Sequence, residues 1–164
     1  MKDLFGYPEG RRIANLSTVV HPDTRRLILP FGFVQSPILA SLCLYKSALG
    51  SFLEGLWETY SVVASVYVDD LILSCNDETA LREAIAEIKR KADRSGFMLN
   101  PDKEAGPDRM ITAFNVRLSH ESLEIDPHRF AEITAAFHEA DSERVREGIR
   151  GYVNSINPYQ AALL

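Results

Sequence analysis

The chain has 164 residues, 46% of them apolar, enough for one globular domain with a real core. Its formal net charge is -5, which argues against nucleic-acid binding by bulk electrostatics; cationic contacts would come from local patches or from chain not present here. No stretch is apolar enough to span a bilayer, and the N-terminus lacks the apolar core of a signal peptide, so the expected location is the cytoplasm.

In chain order, residues 8–20 read as a first helix. Pro8 suits the first helical position, and Ile13, Leu16 and Val20 recur at helical spacing. His21-Pro22-Asp23 would end it. Leu27-Ile28-Leu29 reads as a short strand stopped by Pro30. Phe31-Gly32-Phe33-Val34-Gln35 follows as a loop in which Gly32 permits unusual backbone angles. Ser36-Pro37 has the pattern of an N-cap and first helical residue. It opens a helix through Ile38, Leu39, Leu42 and Leu44 to about Leu49, closed by Gly50. A further helical piece, 52–59, leads into an apolar run.

That run, Ser61 to Cys75, carries Asp69 and Asp70 at its centre. Its β-branched and aromatic flanks read as buried strands, joined by two residues as a tight hairpin. Asp-Asp is a poor pair for such a loop, because the favoured turns need positive φ and select Asn-Gly or Asp-Gly. Two neighbouring anions also repel. A fold that keeps them there would hold a cation, and hard carboxylate oxygens suit Mg²⁺ or Mn²⁺. The alternative is a solvated loop pair that binds nothing. The two cysteines, Cys43 and Cys75, lie in apolar stretches and read as buried free thiols in a reducing compartment.

Asn76-Asp77-Glu78 opens an amphipathic helix with the stripe Leu81, Ala84, Ile85, Ile88 and Ala92, stopped by Gly96. Acids crowd its first turn, and Lys89, Arg90, Lys91 and Arg94 its last, an order that complements the helix dipole. The basic cluster therefore has a structural account beside a nucleic-acid one. Residues 97–103 read as a short strand and a turn, 110–118 as one strand, and 123–125 as another beyond a turn at Ser119–Ser122. Asp126-Pro127 starts a helix to about Ala140. A last helix runs from about Ser142 to Ile156, interrupted at Gly148 and Gly151 and stopped by Asn157-Pro158. The pattern is α+β, an antiparallel sheet covered by helices.

Four ordered segments carry a resemblance. They are Leu29-Pro30-Phe31-Gly32 with Ser36-Pro37, then Tyr67-Val68-Asp69-Asp70, then Gly96 to Lys103, then Ile111 to Val116. The series resembles the palm domain of bacterial reverse transcriptases: the retron, group II intron and abortive-infection or defence-associated lineage. The form Leu-Pro-Phe-Gly-Phe-x-Gln-Ser-Pro is most similar to the defence-associated group. Residues 151–158 resemble the segment leading into the thumb. The resemblance implies a partial palm over 1–126 and a helical segment toward the thumb over 127–164. Its implied activity is RNA-directed DNA synthesis by two-metal nucleotidyl transfer, with an RNA template, a DNA or protein primer and deoxynucleoside triphosphates.

Residue by residue, Asp69 and Asp70 match the catalytic carboxylates that hold Mg²⁺, Asp69 the firmer ligand. Tyr67 matches a residue near the primer terminus, though it is equally an ordinary strand aromatic. Gly32, Ser36 and Pro37 match the loop and helix start beside the incoming nucleotide, where close backbone approach and a helix N-terminus favour phosphate; plain capping also accounts for Ser36. Lys103 matches a lysine that neutralises the leaving pyrophosphate, and also reads as a solvated turn residue. Phe31 stands where many relatives have Gln. It would stack on a base or sugar, with Gln35 a candidate for the lost amide.

The family's remaining metal-binding Asp lies on a strand upstream of the Leu-Pro-x-Gly box, and this sequence begins at the helix after that strand. Asp3 is the acidic residue near the start, but no β-rich frame surrounds it. The chain is thus expected to be a partial enzyme, lacking that strand and the fingers. It would need a missing N-terminal segment or a partner chain to be soluble and active. A non-catalytic palm remnant that binds RNA or protein is the alternative. A metal-dependent nuclease or nucleotide cyclase is a third reading, which the Leu-Pro-x-Gly and Ser-Pro elements oppose.

Overall fold

In the computed structural model, which describes residues 5–164, the first helix is shorter than its apolar spacing predicts. Helix α1 spans Tyr7–Ser17. The β-branched run Thr18-Val19-Val20 leaves it: Thr18 is extended, and its hydroxyl donates to the Ala14 carbonyl at 2.8 Å. Strand β1 (Val19–Val20) then pairs antiparallel with β2 (Leu27–Ile28). Asp3 lies outside the described residues.

The next helix also ends early. Helix α2 covers Ser36–Tyr45 and α3 covers Ala48–Glu54, with α4 at Leu56–Tyr60. Ser47 makes the break. Its backbone is extended, its hydroxyl donates to the Leu44 carbonyl at 2.6 Å, and it accepts from the Gly50 amide at 3.0 Å. Gly50 therefore lies inside α3 rather than closing α2. A Cβ on Gly50 would collide with the Leu44 carbonyl, so the two helices can approach this closely only with glycine there.

Strands β3 (Val63–Tyr67) and β4 (Asp70–Ser74) follow as a two-stranded antiparallel sheet, and then α5, Glu78–Arg94. The Asp77 carboxylate caps α5, accepting from the Thr79 and Ala80 amides at 2.8 and 3.3 Å. At its other end Gly96 takes φ +76°, its amide reaching Asp93 and that of Phe97 reaching Ala92. This is the paired bonding of a Schellman stop. It turns Phe97 onto the core instead of into the expected strand, and leaves Met98 exposed. Leu49, Leu56 and Val62 pack with Ala84, Ile88 and Ala92 of α5 as this unit's core. Complete burial of Leu56 and Val62 is worth about 1.5–3 kcal/mol each.

The chain divides into two compact units after Pro101. The second unit, Asp102–Leu164, holds a three-stranded antiparallel sheet ordered β5 (Met110–Ala113), β6 (Val116–Ser119), β7 (Leu123–Ile125). The single strand expected over 110–118 is in fact a hairpin. Phe114 and Asn115 take φ of 55° and 61°, the sign pattern of a type I′ turn. Helices α6 (Pro127–Glu139), α7 (Glu143–Ile156) and α8 (Pro158–Ala161) complete the unit. Helix α7 is continuous through Gly148 and Gly151, where an added Cβ would meet open space. Ile125, Ile133, Val153 and Ala161 form the second core.

The outer edge of β7 is closed by side-chain amides. Gln160 accepts from the Ile125 amide at 2.7 Å and donates to the Ile125 carbonyl at 3.0 Å, and Asn157 Nδ2 donates to the Leu123 carbonyl at 2.8 Å. Cys43 is exposed and Cys75 half-buried, so neither is the fully buried thiol expected; both are free. Cys43 sits on a helix with apolar residues all round, only part of which finds the core. Among the described residues no single helix is long and apolar enough to cross a membrane. Helices α2 and α3 pass that test only together, bent by 76°. The architecture is α+β.

Candidate active site on the β3–β4 hairpin

The register of the hairpin decides what each of its residues does. Val66 stands opposite Leu71 and Ala64 opposite Leu73, while Tyr67 stands opposite Asp70, Ser65 opposite Ile72 and Val63 opposite Ser74. Strand alternation puts these sets on opposite faces. Ala64, Leu71 and Leu73 pack on the core, so the Tyr67–Asp70 pair belongs to the outer face with Val63 and Ile72. Val63 and Tyr67 are exposed there, and the strands are less buried than their apolar composition predicts. No other described strand pairs with β3 or β4, so both outer edges of the hairpin are open among the described residues.

The loop residues are Val68 and Asp69, not the two aspartates. Asp70 is already the first residue of β4. Val68 takes φ 56° and Asp69 does not take a positive φ, the sign pattern of a type II′ turn. That position is usually glycine. A β-branched residue there is strained, at about 1–3 kcal/mol. Ala64, Leu71 and Leu73 pack against the core, and β3 packs on α4, which anchors the strands on either side of the strained tip. The signal for this placement was the alternation Ala64, Val66 against Leu71, Leu73, which leaves Val68-Asp69 as the unpaired step.

Two more groups of expected residues form locally. In the first, the Ser36 hydroxyl does not cap α2 but donates to the Pro30 carbonyl at 2.8 Å, and its amide donates to Phe33 at 3.0 Å. These bonds close the loop around Gly32, whose φ is +86°. Gln35 is the N-cap residue, without a capping side-chain bond, and Pro37 follows in the first turn. Phe31 is 106% exposed at the tip of this loop. In the second, Lys103 ends a short 3₁₀ turn, Pro101–Lys103, and falls in the second unit.

Asp69 and Asp70 supply the hard oxygen donors that Mg²⁺ and Mn²⁺ take, and Mg²⁺ is commonly held by one or two carboxylates with substrate phosphates completing its shell. Among the described residues no group of three or more His, Cys, Asp or Glu side chains gathers as a metal site. Three glutamates on helix surfaces are held below the usual carboxylate range. Hydrogen bonds from Arg12, Arg90 and Arg129 lower Glu9, Glu87 and Glu132 respectively. Within the basic cluster of α5, Arg90 is thus committed to Glu87 at 2.7 Å, and Lys91 Nζ lies 5.8 Å from the Phe52 ring centre. Both have structural roles.

Comparison with known proteins bears on the same region. The family model described as reverse transcriptase (RNA-dependent DNA polymerase) matches residues 7–107. The chain is also 28% identical, over 183 aligned positions, to the retron Mx65 reverse transcriptase of Myxococcus xanthus. That alignment takes in 98% of this chain and 42% of the relative, so the chain spans under half of the relative's length. The family match covers more than half of the chain, including both the Gly32 loop and the Asp69-Asp70 hairpin, and the protein belongs to the reverse transcriptase family.

Proposed function

We propose that this chain is the palm segment of an RNA-directed DNA polymerase, with Asp69 and Asp70 as its metal-binding carboxylates. The observation that carries the reading is the hairpin: adjacent aspartates at a strained two-residue turn, inside the residues matched to the family. Asp69 and Asp70 would hold Mg²⁺, or Mn²⁺, together with the phosphates of a deoxynucleoside triphosphate. Bound there, the ions would supply activation of a primer hydroxyl and charge neutralisation at the leaving pyrophosphate.

The chain's own residues then bind and orient. Tyr67, cross-strand from Asp70, lies beside the primer end. Gly32 lets the backbone come close to the nucleotide, and Ser36 holds its loop shut through Pro30. Gln35 and Pro37 form the helix start that favours phosphate. Phe31, fully exposed, offers a face for stacking on base or sugar.

An RNA template and a DNA or protein primer are the partners this reading requires. The open edges of β3–β4 support a further partner, an N-terminal segment or a separate chain that completes the palm. The Leu29–Pro37 box supports a role in a bacterial phage-defence or retroelement system, acting in the cytoplasm. In a complete enzyme containing this segment, Asp69→Ala is expected to lower Mg²⁺-dependent incorporation by roughly 10³-fold, the equivalent of several kcal/mol of charge stabilisation. Undiminished incorporation would overturn the assignment.

A second reading is favoured by the absence of a three-carboxylate cluster among the described residues: a palm remnant that binds RNA or protein without catalysis. It predicts RNA binding by the complete protein with no metal-dependent incorporation.

A further inference from the structure

The loop between β1 and β2 is held by an imidazole. His21 Nδ1 accepts from the backbone amides of both Asp23 and Thr24, each at 3.2 Å. The His21 amide donates to the Arg26 carbonyl at 2.8 Å, and the Arg25 amide donates to the His21 carbonyl at 3.0 Å. The Thr24 hydroxyl accepts from the Arg26 amide at 3.4 Å. Arg25 takes φ 56°, an uncommon conformation for a non-glycine residue. The ring therefore organises the residues that present two exposed arginines.

A nitrogen that accepts two hydrogen bonds must carry no proton. Protonation turns Nδ1 into a donor facing two other donors, so both bonds are lost together. It also adds a positive charge to a loop that already carries Arg25 and Arg26, with Asp23 as the loop's only offsetting carboxylate. Strands β1 and β2 pack chiefly on one another. On the preceding helix, Arg12 is paired with Glu9 at 2.7 Å. The other histidines, His120, His128 and His138, lie in the second unit.

We propose that His21 is a pH-sensitive latch: its neutral ring holds the 21–26 loop closed with Arg25 and Arg26 ordered, and protonation releases it. The sign follows from proton binding. A released ring can take up a proton that the two amide bonds exclude, so closure is favoured as pH rises and lost as pH falls. Imidazoles change charge between about pH 5 and 8, whereas carboxylates ordinarily titrate near 4, below that window.

The test is amide hydrogen exchange by NMR on the 164-residue chain at pH 8 and 5.5, corrected for intrinsic exchange rates. In the wild type the protection of Asp23 and Thr24 should fall on the order of tenfold at the lower pH, the loss expected for two neutral hydrogen bonds. His21→Asn keeps an acceptor at the same distance along the side chain but cannot take up a proton; its protection should persist at both pH values. His21→Phe removes the acceptor and should leave both amides unprotected throughout. Equal protection in the wild type at both pH values would overturn the proposal. So would a fall in His21→Asn matching the wild type's, because another group would then be titrating.

Discussion

The two larger antiparallel sheets of this protein treat their edges in opposite ways. In the second unit the outer edge of β7 is closed: Gln160 meets both backbone groups of Ile125, and Asn157 takes the Leu123 carbonyl. Ile125 itself is almost wholly buried. In the first unit both edges of the β3–β4 hairpin are open among the described residues, its outer face is exposed, and its tip is strained at Val68. Exposed strand edges are normally covered or blunted. One sheet is finished with side-chain amides, while among the described residues no strand or amide clip closes the hairpin carrying Asp69 and Asp70. Backbone strain of this kind clusters at functional sites, and the proposed metal site lies at this tip.

Substitutions can break this contrast. The largest stability effect is expected from Ile125→Ala, which opens a cavity in the second core and should cost about 2–5 kcal/mol in denaturant unfolding. Ile72→Ala, on the outer face of the hairpin, should cost much less. Equal losses would mean that the hairpin face is not the open one.

A smaller effect is expected from Gln160→Ala. It leaves the Ile125 amide and carbonyl without their partner and should cost about 1–3 kcal/mol. It should also raise hydrogen exchange at Ile125 while leaving the 63–74 amides unchanged. If Ile125 exchange does not move, the amide clip is not what closes that edge.

The smallest is Val68→Gly. Glycine adopts positive φ freely, so relief of strain should outweigh the added chain entropy and raise stability by about 0.5–1 kcal/mol. A loss of stability would mean that Val68 is not strained in the native turn.

Much of this was legible in the sequence. The α5 helix announced itself by its stripe, its Asp77 cap and its Gly96 stop, because local chemistry alone fixes those features. The caps Asp126 and Ser142 were equally readable. Illegible were the places where a single residue redirects the chain through bonds visible only in three dimensions. Ser47 breaks a continuous apolar helix, and Phe114-Asn115 folds one apparent strand into two without a glycine. At the candidate site the carboxylate pair stood out at once, but the turn position did not. The pairing register moved the loop back by one residue, to Val68-Asp69, and made Asp70 a strand residue paired with Tyr67. Where the Gly32 loop stands relative to the pair depends on long-range packing that no local pattern encodes.

The central claim is that the unfinished hairpin is a metal site. It is tested most directly in a complete enzyme containing this segment, isotope-labelled, by Mn²⁺ titration with a deoxynucleoside triphosphate present, following paramagnetic broadening by NMR. The account predicts selective broadening of Tyr67, Val68, Asp69 and Asp70 that disappears in Asp69→Asn. Broadening that ignores the hairpin, or that persists unchanged in Asp69→Asn, would contradict it.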